Sequence, residues 1–259
     1  MLGGFGPAET DSIGVRDLRF YVSNLKFYDQ AGEILDVELD SNEFQYNSDQ
    51  GFVALIDLTS NSSGSCASET ASGTERTNTT ISGTVEDQVI ADVSFEVGLP
   101  QAIMKAVIAT QTEEDAPTPL NEMYWSWVSG YRHFVFDFAV MNTEGTFGEG
   151  YLHIGSRGCG AAGEKALLEK DQCDLVNTPS VMLEDFDPDV DSVAVDVSAA
   201  LASARFAIDL PDGEQTAPGI NCHSSPTQAD CAAIFVNFGL DITTGEADMQ
   251  ANTVFSKSE

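Results

Sequence analysis

Over Asp17–Tyr28, DLRFYVSNLKFY, the residues Leu18, Phe20 and Val22 alternate with Arg19, Tyr21 and Ser23, the period-two pattern of a strand with two unlike faces. The same period returns in the most aromatic stretch, 121–138, NEMYWSWVSGYRHFVFDF. There Trp125 and Trp127 share one strand face, with Tyr124 and Ser126 on the other. Beyond Gly130, Phe134, Phe136 and Phe138 line one face opposite His133, Val135 and Asp137, which predicts a partly exposed His133. Two neighbouring strands at the heart of a core account for this pattern, and one tryptophan belonging to a functional site is the competing reading.

Other elements follow from the same reasoning. The turn DQAG (29–32) predicts a hairpin that brings EILDVEL back onto the first strand. FVALIDL (52–58) reads as a strand covered on both faces, and ISGTV (81–85), VIADVSFEVGL (89–99), GYLHIGSRGC (150–159) and SVMLEDF (180–186) as further strands. Residues 1–14 predict an irregular terminus and the Ser/Thr/Gly-rich stretch 60–80 a long loop. Residues 161–171 have helical composition, Ser198 is a candidate N-cap for a short helix, and 231–242 fits helix or strand. No period of 20–50 residues occurs. The expected class is all-β, an antiparallel sandwich with long loops and one or two short helices, spanning 1–259 as one domain.

Charge narrows the partners. Eleven Lys+Arg face 42 Asp+Glu, a formal net of -31. Nucleic acid and anionic membrane surfaces are excluded as partners, because both require basic patches. A solvated acidic surface suited to high salt explains the balance; attraction of cations or of a basic partner is the alternative. No run of 18 apolar residues forms a membrane span, and the opening MLGGFGPAETDSIGV shows no signal peptide.

Cysteine usage adds a compartment. Cys159, Cys173, Cys222 and Cys231 lie in the second half, with no CxxC and no zinc-type spacing. Local pairs Cys159–Cys173 and Cys222–Cys231 are the economical choice among the three pairings that four cysteines allow, each worth about 2–3 kcal/mol. Such bridges suit an oxidising compartment, and Cys66 is left unpaired.

Candidate chemistry is sparse. His153 sits in a short apolar strand, where a satisfied core histidine competes with a ligand; His133 stands opposite the phenylalanines, and His223 beside Cys222 reads as part of a disulfide-tied loop. Met104, Met123 and Met182 are soft potential ligands or core filling. The carboxylates Asp185, Asp187, Asp189 and Asp191 make calcium a second candidate cation, against a solvated face. No nucleotide-binding, nucleophile-elbow or zinc-protease motif is present, which argues against an enzyme.

Taken in order, DLRFYVSNLKF, VALIDL, TN before ISG, FEVGLP, PLNEMYWSWVSGY, LHIGSRGC and the late Cys222/Cys231 pair resemble the MbnP proteins, the four-cysteine half of the "metallo-mystery pair", across about residues 15–245. The resemblance implies a β-sandwich exported to the periplasm or cell surface. It further implies copper bound by histidines and a di-haem cytochrome c peroxidase-like partner of the MauG/MbnH type that oxidises a tryptophan to kynurenine. His153 matches a copper-ligand histidine, and Trp125 or Trp127 the oxidised residue. This chain departs from the family at GLPQAIMKAV, where Met104 and Lys105 replace an Asn-His that often supplies a second ligand; His133 and Met104 are the substitutes expected from sequence. The family usually carries a cysteine-bearing strand ahead of DLRFYVS, so a partner for Cys66 in a preceding segment or on another chain is expected. The alternative function is a surface structural or assembly protein, self-associating and without a copper site.

Overall fold

A computed structural model describes residues 1–60, 75–109, 111, 115–126, 129–161, 165–209 and 216–258; Cys66 and Trp127 lie outside them. The strands are β1 (Leu2–Phe5), β2 (Asp11–Asp29), β3 (Val37–Leu39), β4 (Gln45–Ser48), β5 (Gly51–Asp57), β6 (Gly83–Val85) and β7 (Ile90–Val97). They continue with β8 (Tyr124–Ser126), β9 (Gly130–Met141), β10 (Phe147–Gly155), β11 (Ser180–Leu183), β12 (Ser192–Val195), β13 (Ala207–Asp209), β14 (Thr216–His223), β15 (Phe238–Leu240), β16 (Ala247–Asn252) and β17 (Phe255–Ser258). Helices are few: α1 (Gln101–Ile103), which runs into a π-helical turn over Met104–Ile108, α2 (Val197–Ala200) and α3 (Ala229–Asn237). The class is an all-β sandwich.

The main sheet runs β11-β7-β2-β9-β10-β14-β13. Its pairs are antiparallel except β10 against β14, which is parallel. The long strand β2 pairs with β9 through Ser12–Phe20, with β5 through Arg19–Ser23 and with β7 through Val22–Asp29. Its register shifts between Ser23 and Lys26, beside Asn24 at φ 50°. A shift with a left-handed residue is how a strand bends from one set of neighbours to another.

Alternation then sorts the side chains. Phe20, Phe134, Phe136, Phe138, Leu152, Ile154, Ile220 and Cys222 enter one core, closed by α3 and by Phe238 and Phe255. Tyr21, Val135 and Tyr131 enter a second core with Leu99, Met104 and the Cys159–Cys173 loop. Both faces of β2 and β9 are therefore covered. The second face also carries the buried charges: Asp17, Arg19, Asp57 and Asp137 are each at most 5% exposed.

Several local expectations are corrected. Residues 2–5 form β1 on the start of β2 instead of an irregular terminus, because Gly3 and Phe5 can pair with Ser12 and Asp11. EILDVEL meets the first strand only at a Tyr28–Ile34 bridge, and β3 pairs with β6 instead. Residues 165–170 hold turns rather than a helix, tied by Leu167 N donating to the Cys159 carbonyl at 2.7 Å. Asp196, not Ser198, caps α2, its carboxylate accepting from the Ser198 and Ala199 amides. The ambiguous stretch 231–242 is both, α3 breaking at Phe238 into β15.

Candidate metal centre

The register of three strands builds the centre. On β10, Glu149, Tyr151 and His153 point away from the phenylalanine core, while Leu152 and Ile154 enter it. Parallel β14 sets Asn221 beside Tyr151 and His223 beside His153. Antiparallel β9 sets Asp137 beside Tyr151, one step from His153. Ser224 locks the two histidine strands together: its hydroxyl donates to the His153 carbonyl at 2.8 Å and accepts from the Gly155 amide at 2.7 Å. The Cys222–Cys231 disulfide anchors the end of β14 to α3.

Asp137 Oδ1 lies 2.6 Å from His153 Nε2. A carboxylate only accepts, so Nε2 carries the proton and His153 Nδ1 keeps a lone pair. That lone pair faces His223 Nδ1 at 2.9 Å. In the metal-free pair, His223 Nδ1–H donates to His153 Nδ1. Burial, with His153 and the Arg132 and Arg157 guanidiniums, pushes the His223 imidazole down to about 4, against the pull of Asp137. His223 is thus neutral at pH 7, and two imidazole nitrogens converge on one point.

Aromatic rings enclose that point. The half-buried Trp125 ring meets His153 edge-on at 6.1 Å between centroids and His223 at 5.9 Å. Tyr151 meets the same two imidazoles at 6.1 and 5.9 Å. Its hydroxyl donates to Glu149 Oε2 at 2.5 Å, and Arg16 Nη1 donates to Glu149 Oε1 at 2.7 Å. Tyr151 is pushed up to about 12, first by its bond to Glu149.

The donor set fits a metal that accepts two imidazoles. Among the described residues no group of three or more His, Cys, Asp or Glu side chains gathers for a metal. Two imidazoles are donors that copper would accept at low coordination number.

The other residues singled out in the sequence lie elsewhere. His133 is fully buried, correcting the expected partial exposure, because the second core covers its face of β9. Its Nδ1 accepts from the Leu99 amide at 3.1 Å and its Nε2 donates to the Val176 carbonyl at 3.0 Å, so neither nitrogen has a lone pair for a metal. A Cβ on Gly98 would stand 2.9 Å from this ring, so glycine there makes the room. Met104 is buried in the second core beside Gly130, with its sulfur 3.1 Å from where a Cβ on that glycine would stand. Asp187 and Asp191 spend carboxylate oxygens on the amides of Asp189 and Asp187, forming a turn. Among the described residues Cys159–Cys173 and Cys222–Cys231 form disulfides, and Trp127 and Cys66 fall outside those residues.

Burial lowers His133 to about 4, the Val176 carbonyl acting the other way. A histidine held neutral in the fold but free to protonate near 6.5 when unfolded costs nothing above pH 6.5. Its cost grows as pH falls from 6.5 towards 4, reaching about 3 kcal/mol. Urea unfolding at pH 7 and pH 4 should show His133→Gln losing less stability between the two than the native chain; equal losses would refute the assignment.

The sequence matches the MbnP family model over residues 4–224. No curated protein matches it. Among solved structures, MbnP from Methylosinus trichosporium superposes with a TM-score of 0.74 at 22% identity, covering 99% of this chain and 91% of that one. At that identity the likeness establishes the fold.

Proposed function

This chain belongs to the MbnP family, and on that premise we propose that it is a copper-holding binding protein of the periplasm or cell surface. Trp125 is the side chain that a di-haem peroxidase-like partner oxidises to kynurenine. One observation carries this reading: two imidazole Nδ1 atoms face each other at 2.9 Å with the Trp125 ring against both. Copper, when bound, would supply a redox-active Lewis acid at these nitrogens. Asp137 keeps the proton on His153 Nε2, so His153 presents Nδ1 without rearrangement. His223 frees its own Nδ1 by carrying its proton on Nε2 instead. Two disulfides fit the oxidising compartment that such a role requires.

Intact and peptide mass spectrometry of protein purified from its native host, with copper quantified on the same sample, tests the proposal. Kynurenine at Trp125 with bound copper is the expected result. Kynurenine without copper would keep the peroxidase partner and remove the histidine site. An intact Trp125 and no metal would hand the chain to the structural, self-associating alternative.

A further inference from the structure

The chain Arg16–Glu149–Tyr151 is unexplained by metal binding, since the Tyr151 hydroxyl and the Glu149 carboxylate are spent on each other and on Arg16. Its geometry has a specific chemical meaning. A phenol is hard to oxidise by loss of an electron alone, because the radical cation is a very strong acid. A base already hydrogen-bonded to the hydroxyl removes that obstacle by taking the proton as the electron leaves. Glu149 is such a base, 2.5 Å from the Tyr151 oxygen, and the Arg16 guanidinium at 2.7 Å keeps it ionised and aimed. Tyr21 shows the contrast: it is fully buried and its hydroxyl donates to the neutral Pro119 carbonyl.

Location adds the second half. Tyr151 is half-exposed, so an external electron acceptor can approach it. Its ring lies at 27° to His223, and the His153 and His223 rings, 4.7 Å apart, both also meet Trp125. Tyr151, the imidazole pair and Trp125 thus form a continuous cluster of rings.

We propose that Tyr151 is a proton-coupled one-electron relay between an external oxidant and Trp125. The oxidant is a positively charged one-electron acceptor, the class that a chain of net charge -31 attracts. Tyr151 gives one electron to the acceptor, which is reduced, while the phenolic proton passes to Glu149, leaving a neutral tyrosyl radical. Trp125 then gives one electron across the imidazole pair to Tyr151, and the proton returns from Glu149 to the phenolic oxygen. Tyr151 and Glu149 are restored, and the oxidising equivalent rests on Trp125 as an indole radical cation. The relay rests on the reading of Trp125 as the oxidised residue.

The test uses the full chain, free of metal, with photogenerated tris(bipyridine)ruthenium(III) as the oxidant. The native chain should give a neutral tyrosyl radical by electron paramagnetic resonance, followed by oxidation at Trp125 in peptide maps. Tyr151→Phe should lose that radical and cut the Trp125 yield severalfold. Glu149→Gln keeps the phenol but not the base, and should slow tyrosyl formation by about a hundredfold, with a changed solvent isotope effect. A purely structural hydrogen bond would move neither the isotope effect nor the radical. Equal Trp125 yields in the native chain and Tyr151→Phe would overturn the relay, as would an unchanged rate in Glu149→Gln. Because no copper and no native partner is involved, loss of the copper reading leaves this outcome legible, and the reverse holds too.

Discussion

Replacing His223 with alanine is expected to weaken copper binding by about a thousandfold or more, roughly 4 kcal/mol, while Met104→Leu leaves it unchanged. One imidazole of two is lost in the first case, and His153 Nδ1, 2.9 Å away, then faces a void instead of its partner. Met104 sits in the second core among apolar neighbours, so leucine fills its place without touching the centre. Asp137→Asn should fall between, at about 10–100-fold, because an amide can present its NH₂ to His153 Nε2 and turn the imidazole to the wrong tautomer. Competition against a chromophoric copper(I) chelator measures all three on one scale. Quenching of Trp125 fluorescence gives an independent readout, its ring being about 6 Å from both imidazoles. A loss at Met104→Leu equal to that at His223→Ala would place the metal with the ligand set that the sequence alone favoured.

That contrast marks where the sequence is legible and where it is not. Period-two alternation in DLRFYVS and RHFVFDF fixes the faces, and Phe134, Phe136 and Phe138 do share one core. The alternation cannot say whether the opposite face is wet. The pattern predicts His133 at a surface that Gly98, Leu99, Val176 and Thr178 in fact cover, and those segments are set by long-range packing. His223 reads from the sequence as part of a disulfide-tied loop for a related reason. Its significance comes from a parallel pairing across 70 residues, with His153 in LHIG set beside His223 in NCHS. Parallel neighbours need a long crossover, so no local turn announces them. The usable signal is a histidine in each of two short segments, His153 two residues before Gly155 and His223 beside Cys222. Asp137 left a clearer trace, as a lone acid in an otherwise aromatic strand, which burial permits only with a partner.

The same covered face makes the buried Arg19 important for stability. Arg19→Met is expected to destabilise the fold by about 3–5 kcal/mol. Its guanidinium grips Asp17 through two bonds of 2.8 Å, Nε to Oδ1 and Nη2 to Oδ2, with side-chain exposures of 2% and 0%. Removing the cation leaves the Asp17 carboxylate buried, and water cannot reach it to compensate. Repulsion adds to the cost, since Asp17 pairs in register with Asp137 on β9 and Asp57 is buried on the same layer. Pairing Arg19→Met with Asp17→Leu should recover most of the loss, because what destabilises is the orphaned charge and not the absence of an ion pair. Urea midpoints of the two variants decide it: a double variant no more stable than Arg19→Met would show that the pair's geometry, not its charge balance, holds β2.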